Sequence, residues 1–448
     1  MRFLLPSSPL SLLLATAYIS SKVHAFSVSL AVPPAAVADL SIVGTSHVPA
    51  AAASSSHLTT GIRAYVRGAL TVIVPPAYAA DAPAAAAEGV SIPPPTAEEV
   101  GLLRDALANF YGQPRDSARA LELLDRAVAA PGWRRQPPDE RAALYRVRGD
   151  ARMDLKRPTE AAADYGTAIG LLEGPGGERA EEGELPAARL GRARAMRGAF
   201  LSGAKTLTNE EWSGVAQDYQ IALRLSSRDD YLETDVEREQ DGAARNPYAA
   251  WEWGQALRGA GRYGPASEVH TLAALSFKDI GDRARSVIAE LDAGIDLAAA
   301  AAAGDDANYK DAKELLERAI PKTTGITTGT DVELLQRVIA KEGEARIALA
   351  AILWNAGDRA GAEKQLGEAC VRFDQLEADN ADREAARMKK GAMPPPPKYN
   401  KVLFSIDDIP GAGGKVSCAR FRNDEFLIRT VEWPEALRAK VQKLNKLG

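Results

Sequence analysis

The chain has 448 residues, with 55 Lys and Arg against 60 Asp and Glu, a net charge of −5, and only four His and two Cys. His24, His47 and His57 precede residue 60, which leaves His270 alone in the remainder; a His-rich metal site is excluded there, and any Ser-His-Asp or Cys-His catalytic set must run through that one imidazole. The mild acidity offers no footprint for nucleic acid, whose phosphates need a basic face, while 26% charged and 46% apolar residues describe a globular chain of two or three domains or one repeat array.

The first 79 residues read as a removable presequence in three parts. Met1 and Arg2 precede apolar runs at 3–5 and 10–17, broken by Pro6 and Pro9, and Val23-His24-Ala25 supplies small residues for a signal-peptidase site. Residues 26–62 hold one acid, Asp39, and no Lys or Arg; they are rich in Ser, Thr, Ala and Val and lack helical or strand periodicity. Residues 63–79 repeat the signal logic: Arg63 and Arg67, an apolar run at 69–74, then Ala77-Tyr78-Ala79 before Ala80-Asp81. That run is far below the ~20 apolar residues of a membrane span, so no transmembrane segment is expected in the mature chain. The series resembles the tripartite presequence of thylakoid-lumen proteins in algae with complex red-lineage plastids, where a transit peptide beginning with Phe, here Phe26, follows a signal peptide and precedes a lumen signal. The lack of basic residues between 26 and 62 departs from that pattern. Arg63 and Arg67 are not adjacent, which fits a Sec-type rather than a twin-arginine route. The resemblance implies a mature chain in the plastid thylakoid lumen from about Ala80.

After a linker at 80–96, residues 97–380 carry a recurring pattern. In 247–280, Trp253-Gly254, Leu257, Gly261, Tyr263, Ala266, His270 and Ala273 fall at positions 7, 8, 11, 15, 17, 20, 24 and 27 of a 34-residue frame. Small residues at 8, 20 and 27 let two helices approach, larger ones at 4, 7, 11 and 24 fill the gaps, and the Gly near 15 ends the first helix. The frame recurs at 101–134, where Pro131 stops the second helix, and at 142–175. It recurs from Glu184 with about 12 residues inserted at 199–210, then at 293–326 and 343–376. Linkers such as 174–184 and 229–245 separate copies. This is the pattern of a tetratricopeptide repeat. The expected fold is all-α: a tetratricopeptide-repeat-like (TPR-like) α-solenoid of about six helix pairs with a C-terminal cap that includes short strands.

Residues 381–397 form a charged and Pro-rich linker ending in Pro394–Pro397, a stiff segment. Residues 398–448 are assigned as the cap that a solenoid needs on its last face, with a partner-binding hook as the alternative the sequence does not separate: a short strand at 401–407, a Gly-rich turn at 409–414, a second short strand or extended strip at 422–430 and an amphipathic helix at 435–447. Together with the terminal Val431-Glu432-Trp433-Pro434-Glu435-Ala436-Leu437, the repeats resemble the TPR-like proteins of the chloroplast thylakoid lumen. The resemblance implies a helical lumenal protein serving assembly or upkeep of photosynthetic complexes.

Reactive side chains are few. His270 occupies packing position 24 and reads as a core histidine; catalysis needs an open cleft and an orienting carboxylate. Cys370, in the last repeat, and Cys418, in the cap, are either a disulfide stapling cap to repeats or two buried thiols. The acid pairs Asp305-Asp306 and Asp407-Asp408 read as helix-end and turn residues, and the glycines of 409–414 lack the Gly-Lys-Ser/Thr of a phosphate loop. What remains is binding surface. First helices line the groove of such repeats through positions 2, 5, 9 and 12, which here nominates Asn109, Arg146 and Arg192, the dense set Tyr248, Trp251, Gln255 and Arg258, and Trp354. Aromatic and Arg residues are the usual hot-spot types, although the same aromatics can instead pack between repeats. The Lys–Asn set that clamps C-terminal carboxylates in chaperone-binding repeats is not reproduced. The expectation is a non-enzymatic scaffold without cofactor. Its partner would be a photosynthetic complex or an assembly intermediate, met by peripheral association. A stoichiometric subunit on the lumenal side of a photosystem or antenna is the alternative, and an uncharacterised lumenal enzyme is disfavoured.

Overall fold

The computed structural model describes residues 95–174, 183–227, 231–305, 307–326, 331–389 and 418–444, all within one compact unit. The presequence, nearly all of the 80–96 linker and the strand expected at 401–407 lie outside the described residues. The described residues form sixteen α-helices and two short 3-10 turns, with no strand among them.

Six adjacent helix pairs account for most of the described residues. They are α1 (Ala97–Tyr111) with α2 (Ser117–Ala129), α4 (Pro138–Asp154) with α5 (Pro158–Glu173), and α6 (Glu184–Leu201) with α7 (Asn209–Leu225). Then come α9 (Pro247–Gly259) with α10 (Tyr263–Asp279), α11 (Arg283–Ala302) with α12 (Ala307–Ala319), and α13 (Val332–Asn355) with α14 (Arg359–Lys389). Two short helices, α3 (Pro131–Arg134) and α8 (Asp235–Arg245), lie between pairs. The C-terminal segment adds a 3-10 turn (Cys418–Arg422), α15 (Asp424–Arg429) and α16 (Glu435–Leu444).

Local chemistry sets the boundaries. Thr96 with Glu99, Thr208 with Glu211 and Thr234 with Glu237 form reciprocal capping boxes at the starts of α1, α7 and α8, satisfying backbone N–H groups that have no intrahelical acceptor. Asn246 caps α9 ahead of Pro247, a residue suited to the first helical turn. The first helices of the fourth and sixth pairs stop at Gly261 and Gly357, whose φ angles of 74° and 87° lie in the left-handed region that favours glycine.

Packing within the pairs follows the 34-residue frame. Positions 20 and 27 are occupied in the six pairs by Ala120 and Ala127, Ala161 and Ala168, Val215 and Ala222, Ala266 and Ala273, Ala312 and Ala319, and Ala362 and Ala369; each is at most 3% exposed. Position 8 meets position 24 directly. A Cβ on Gly149 would come within 2.9 Å of the Tyr165 ring, and one on Gly254 within 2.6 Å of the His270 ring. The large ring therefore fills the space that the missing side chain leaves, which is how an interior reaches crystal-like density. Tyr165 is also overlaid by Gly191 at the start of the next pair, so one ring locks two pairs together. Ala108, at position 8 of the first pair, is exposed and departs from the pattern.

Three expectations need correction. Residues 229–245, read as a linker, include α8, whose Thr234 cap starts a helix that packs on α7 and α10. Residues 381–389, read as part of a linker at 381–397, belong to α14, which continues to Lys389; residues 390–397 lie outside the described residues. The strand expected at 422–430 is helical: Asn423 accepts from the Phe426 amide at 3.1 Å, and two acids sit in the first turn. The consecutive residues Phe426 and Leu427 are both buried, whereas strand alternation would send one of them outward.

The C-terminal segment also does more than cover the last pair. Cys370 and Cys418 form a disulfide, with Cα atoms 5.0 Å apart. Phe421 stacks on Phe373 at 5.3 Å, and α16 lies on α11 and α13, with Lys440 Nζ donating to Asn355 Oδ1 at 2.8 Å. The chain then reaches back to α6, where Arg197 Nη2 donates to Glu432 Oε1 at 2.7 Å and Arg429 donates to the Phe200 carbonyl at 2.7 Å.

Glycine substitutions test this packing. Gly254→Ala is expected to lower stability by about 1–3 kcal/mol through the clash with His270. Gly166→Ala, at a helical position with nothing within 4 Å of the new Cβ, should raise it by about 0.5–1 kcal/mol. Thermal unfolding of both variants checks the pair of signs.

Candidate functional site

The first helices α4, α6, α9, α11 and α13 carry charged side chains in stretches that are otherwise apolar. The middle of α11 is the extreme case: Leu291, Ala293, Ile295, Ala298 and Ala299 are fully buried, and so are Asp292 and Asp296, all at 0% exposed. A carboxylate in that position needs hydrogen-bonded partners of opposite charge. Arg258, projecting from α9, supplies them. Its Nε donates to Asp296 Oδ1 at 2.5 Å and its Nη2 to Asp292 Oδ1 at 2.9 Å.

Three more side chains complete the cluster. His270 on α10 places Nδ1 2.5 Å from Asp296 Oδ2. Trp251 on α9 donates Nε1–H to Asp292 Oδ2 at 2.8 Å. Lys341 on α13 donates to Asp292 at 3.3 Å and to Glu344 at 2.5 Å. Burial by itself would raise the Asp292 carboxyl, but Lys341 and Arg258 outweigh it and hold the group far below the ordinary carboxylate range. Burial pulls down on Arg258 and Lys341 as well; Asp296 and Asp292 overcome it for the arginine, Asp292 and Glu344 for the lysine, so both stay charged well into base. Burial dominates at Glu344 and raises it.

The same device recurs at each junction between successive first helices in this stretch. Arg146 on α4 donates to Glu184 on α6 at 2.6 Å, and Arg194 on α6 donates to Glu252 on α9 at 2.8 Å. Arg258 and Trp251 join α9 to α11, and Lys341 joins α13 to α11. Arg146 is further held by Asp150 at 2.8 Å, and Asp150 accepts from the Tyr165 hydroxyl at 2.6 Å.

The residues nominated for a partner-binding groove therefore separate into groups. Arg146, Trp251 and Arg258 tie neighbouring pairs together. Arg258 is 1% exposed and presents no guanidinium at the surface, and Gln255 is 7% exposed, so both belong to the interior. Arg192 is bound within its own pair, donating to Asp218 on α7 at 2.6 and 2.7 Å. Tyr248 is half-buried, edge-on to Phe277 at 5.1 Å, with the Arg285 guanidinium 5.3 Å from its ring. Asn109 is half-buried and donates to the Asp105 carbonyl at 2.7 Å. Trp354 is half-buried beneath the Arg359 guanidinium at 5.2 Å. His270 is a core residue as expected, at 0% exposed, but one held by the Asp296 carboxylate at 2.5 Å rather than an apolar filler.

The carboxylates Asp292, Asp296, Glu252 and Glu432 and the cations Arg194, Arg197 and Lys341 went unnoticed in the sequence. A signal was there: two aspartates four residues apart in the Ala-rich stretch 289–303, on the same helical face. Two clefts stand out among the described residues. One of about 220 Å³ lies among Ala301, Tyr309, Ile352, Asn355 and Lys440, below the ~300 Å³ at which ligand pockets begin; the other, of about 480 Å³, is a charged cleft among Arg422, Asp424, Glu435, Arg438 and Gln442 on the C-terminal segment. Among the described residues no group of three or more His, Cys, Asp or Glu side chains is arranged to hold a metal ion, and no helix is long and apolar enough to cross a membrane. No protein-family model matches the sequence, and a search of curated proteins finds no match.

Two outcomes follow from the cluster. Asp296→Ala should cost about 3–5 kcal/mol, because Arg258 and His270 then stay buried without their carboxylate; urea unfolding measures it. Because the folded-state pKa of Asp292 is depressed, its contribution to stability is complete at neutral pH and fades as pH falls below about 4, where the unfolded chain takes up the proton first. Asp292→Asn should be less stable at pH 7 and show a shallower loss toward acid. An unchanged acid slope would assign that sensitivity to other carboxylates.

Proposed function

We propose that this chain is a TPR-like scaffold that binds protein partners through its first-helix face and carries out no catalysis of its own. The observation that carries the reading is the recurrence of buried small residues at positions 20 and 27 in all six pairs, with Gly149 against Tyr165 and Gly254 against His270 at positions 8 and 24. Close approach of two helices at those positions is what the repeat frame demands. A series of such pairs offers a long surface whose hot spots are set by a few aromatic and charged residues; Asn109, Arg146, Arg192, Tyr248, Trp251 and Trp354 are the nominated groove residues that keep accessible surface, of which Asn109, Tyr248 and Trp354 are not tied to a carboxylate. The two cleavage signals in series support a thylakoid-lumen location, and with it a role in assembly or maintenance of photosynthetic complexes.

A specific observation favours a second reading. The C-terminal segment lies across part of the first-helix face and is held there by a disulfide. A surface closed in this way suits a permanent, stoichiometric subunit on the lumenal side of a photosystem or antenna.

The proposal makes checkable statements. The N-terminus of the protein isolated from its source, read by mass spectrometry, should be Ala80; an N-terminus before residue 63 overturns the lumen assignment. Affinity purification from solubilised thylakoids should recover lumen-exposed photosystem proteins in sub-stoichiometric amounts. One-to-one co-migration with an intact photosystem on a sucrose gradient supports the subunit reading instead, and recovery of no photosynthetic protein overturns both.

A further inference from the structure

Residues 418–444 contact the rest of the chain in the manner of a bound peptide. Apolar side chains from one short stretch, among them Phe421, Leu427, Trp433 and Leu437, are buried to 3% exposed or less. The receiving surface is the first-helix face, with α16 on α11 and α13 and Ile428 against the core formed by α6, α7, α9 and α10. One polar anchor fixes the register: Glu432 receives Nη2 of Arg197 through both carboxylate oxygens at 2.7 and 3.0 Å. Only 13% of the Arg197 side chain and 10% of that of Glu432 remain exposed. Arg429 adds hydrogen bonds to the carbonyls of Phe200 and Lys205 at the end of α6, with its guanidinium 4.5 Å from the Phe200 ring. Glu432 itself has φ 53°, a conformation uncommon outside glycine that persists where the surroundings impose it.

We propose that this segment is a cis-bound ligand of the first-helix face, latched by the Cys370–Cys418 disulfide, and that reduction of the latch opens the face to a trans segment of the same chemistry: an aromatic-anchored amphipathic helix led by a carboxylate. The proposal rests on the reading of that face as a protein-binding surface. The step is a thiol–disulfide exchange with a dithiol reductant. A thiolate of the reductant attacks one cystine sulfur and forms a mixed disulfide, and its second thiol then displaces the remaining protein sulfur. The reductant leaves as its own disulfide, having passed two electrons and two protons to give the thiols of Cys370 and Cys418. Both cysteines are partly buried rather than fully enclosed, Cys418 against the core, so the latch lies near the surface.

The size of the effect follows from chain length. With the latch closed, Phe426 lies 8 residues from the anchored Cys418; with it open, the nearest described helix end before the segment is Lys389, 37 residues away in the sequence. Loop-closure entropy scales with the three-halves power of length, so over these chain lengths opening favours release of the segment by at most about tenfold. The latch thus tunes occupancy of the face rather than switching it from full to empty.

Hydrogen–deuterium exchange on the full chain, oxidised, treated with dithiothreitol, or carrying Cys418→Ser, tests the latch. The expected result is roughly tenfold faster exchange across 424–444 and the end of α6 in the reduced and Cys418→Ser forms, with α1 to α5 unchanged. A fluorescent peptide of residues 418–444 with Cys418→Ser should bind the reduced chain about tenfold more tightly than the oxidised chain, and the same peptide with Glu432→Gln should lose most of that binding. Unchanged exchange on reduction overturns the proposal, as does acceleration over all helices together, which would make the disulfide a global staple. Local opening without peptide binding overturns it too. Thylakoid partners captured equally by oxidised and reduced chain would leave the scaffold reading standing and remove this one. Opening and peptide binding with no thylakoid partner captured would do the reverse.

Discussion

The pairing of Arg258 with Asp292 and Asp296 is the constraint around which this fold is arranged. Three ionic side chains at 0–1% exposure are tolerable only if their geometry is nearly complete, because each ion forfeits several kcal/mol of hydration on burial. Completing it takes α9 and α11 for the ions, α10 for the imidazole on Asp296 and α13 for the ammonium on Asp292. A shift of one pair against the next would strand a charge in the interior. Apolar ridges alone would tolerate several offsets of similar energy, so the ion pairs select one. The smaller ties Arg146–Glu184 and Arg194–Glu252 repeat this restriction toward the N-terminal pairs.

Small residues and buried charges are two sides of one packing solution. Alanine or valine at positions 20 and 27 and, in three pairs, glycine at position 8 (Gly149, Gly191 and Gly254) bring helix backbones close. The same proximity puts an arginine within hydrogen-bond reach of a carboxylate on the following first helix. Tyr165 shows how tight the arrangement is. Its ring lies under Gly149 and Gly191 at once, and its hydroxyl is committed to Asp150, so burial and that carboxylate keep the phenol protonated far into base.

Much of this was legible in the sequence because it is local. Helix pairs and the stops at Gly261 and Gly357 depend on neighbours within a few turns, and a 34-residue frame registers them without knowledge of the fold; the Thr234 and Asn423 caps lie outside that frame, in stretches that read as a linker and a strand. The identity of the ion-pair partners was not legible, since Arg258 and Asp292 are 34 residues apart and Arg197 and Glu432 are 235 apart. Nothing in the separate stretches says which cation meets which carboxylate. The frame also nominated groove residues by position alone, and position does not distinguish an outward arginine from one, like Arg258, that turns into the junction. The stretch 422–430 misled for a related reason. Its apolar run Phe426, Leu427, Ile428 suits a strand or a buried helix equally, and only the Asn423 cap, with the face that the segment covers, decides for the helix.

These ties bear on how the first-helix face can recognise anything. Its charged side chains are already partnered: Arg146 by Glu184, Arg194 by Glu252 and Arg192 by Asp218. A partner gains little by offering a new carboxylate to them, because the buried acid it displaced would be left unpaired at comparable cost. The exception is a contact in which the displaced acid leaves with its own segment. Glu432 is such an acid, since it sits on the stretch between α15 and α16 and not on the repeat helices. Arg197 is therefore a cation of this face whose partner can leave with its own segment without breaking a tie between first helices, and recognition that uses charge has its natural opening there.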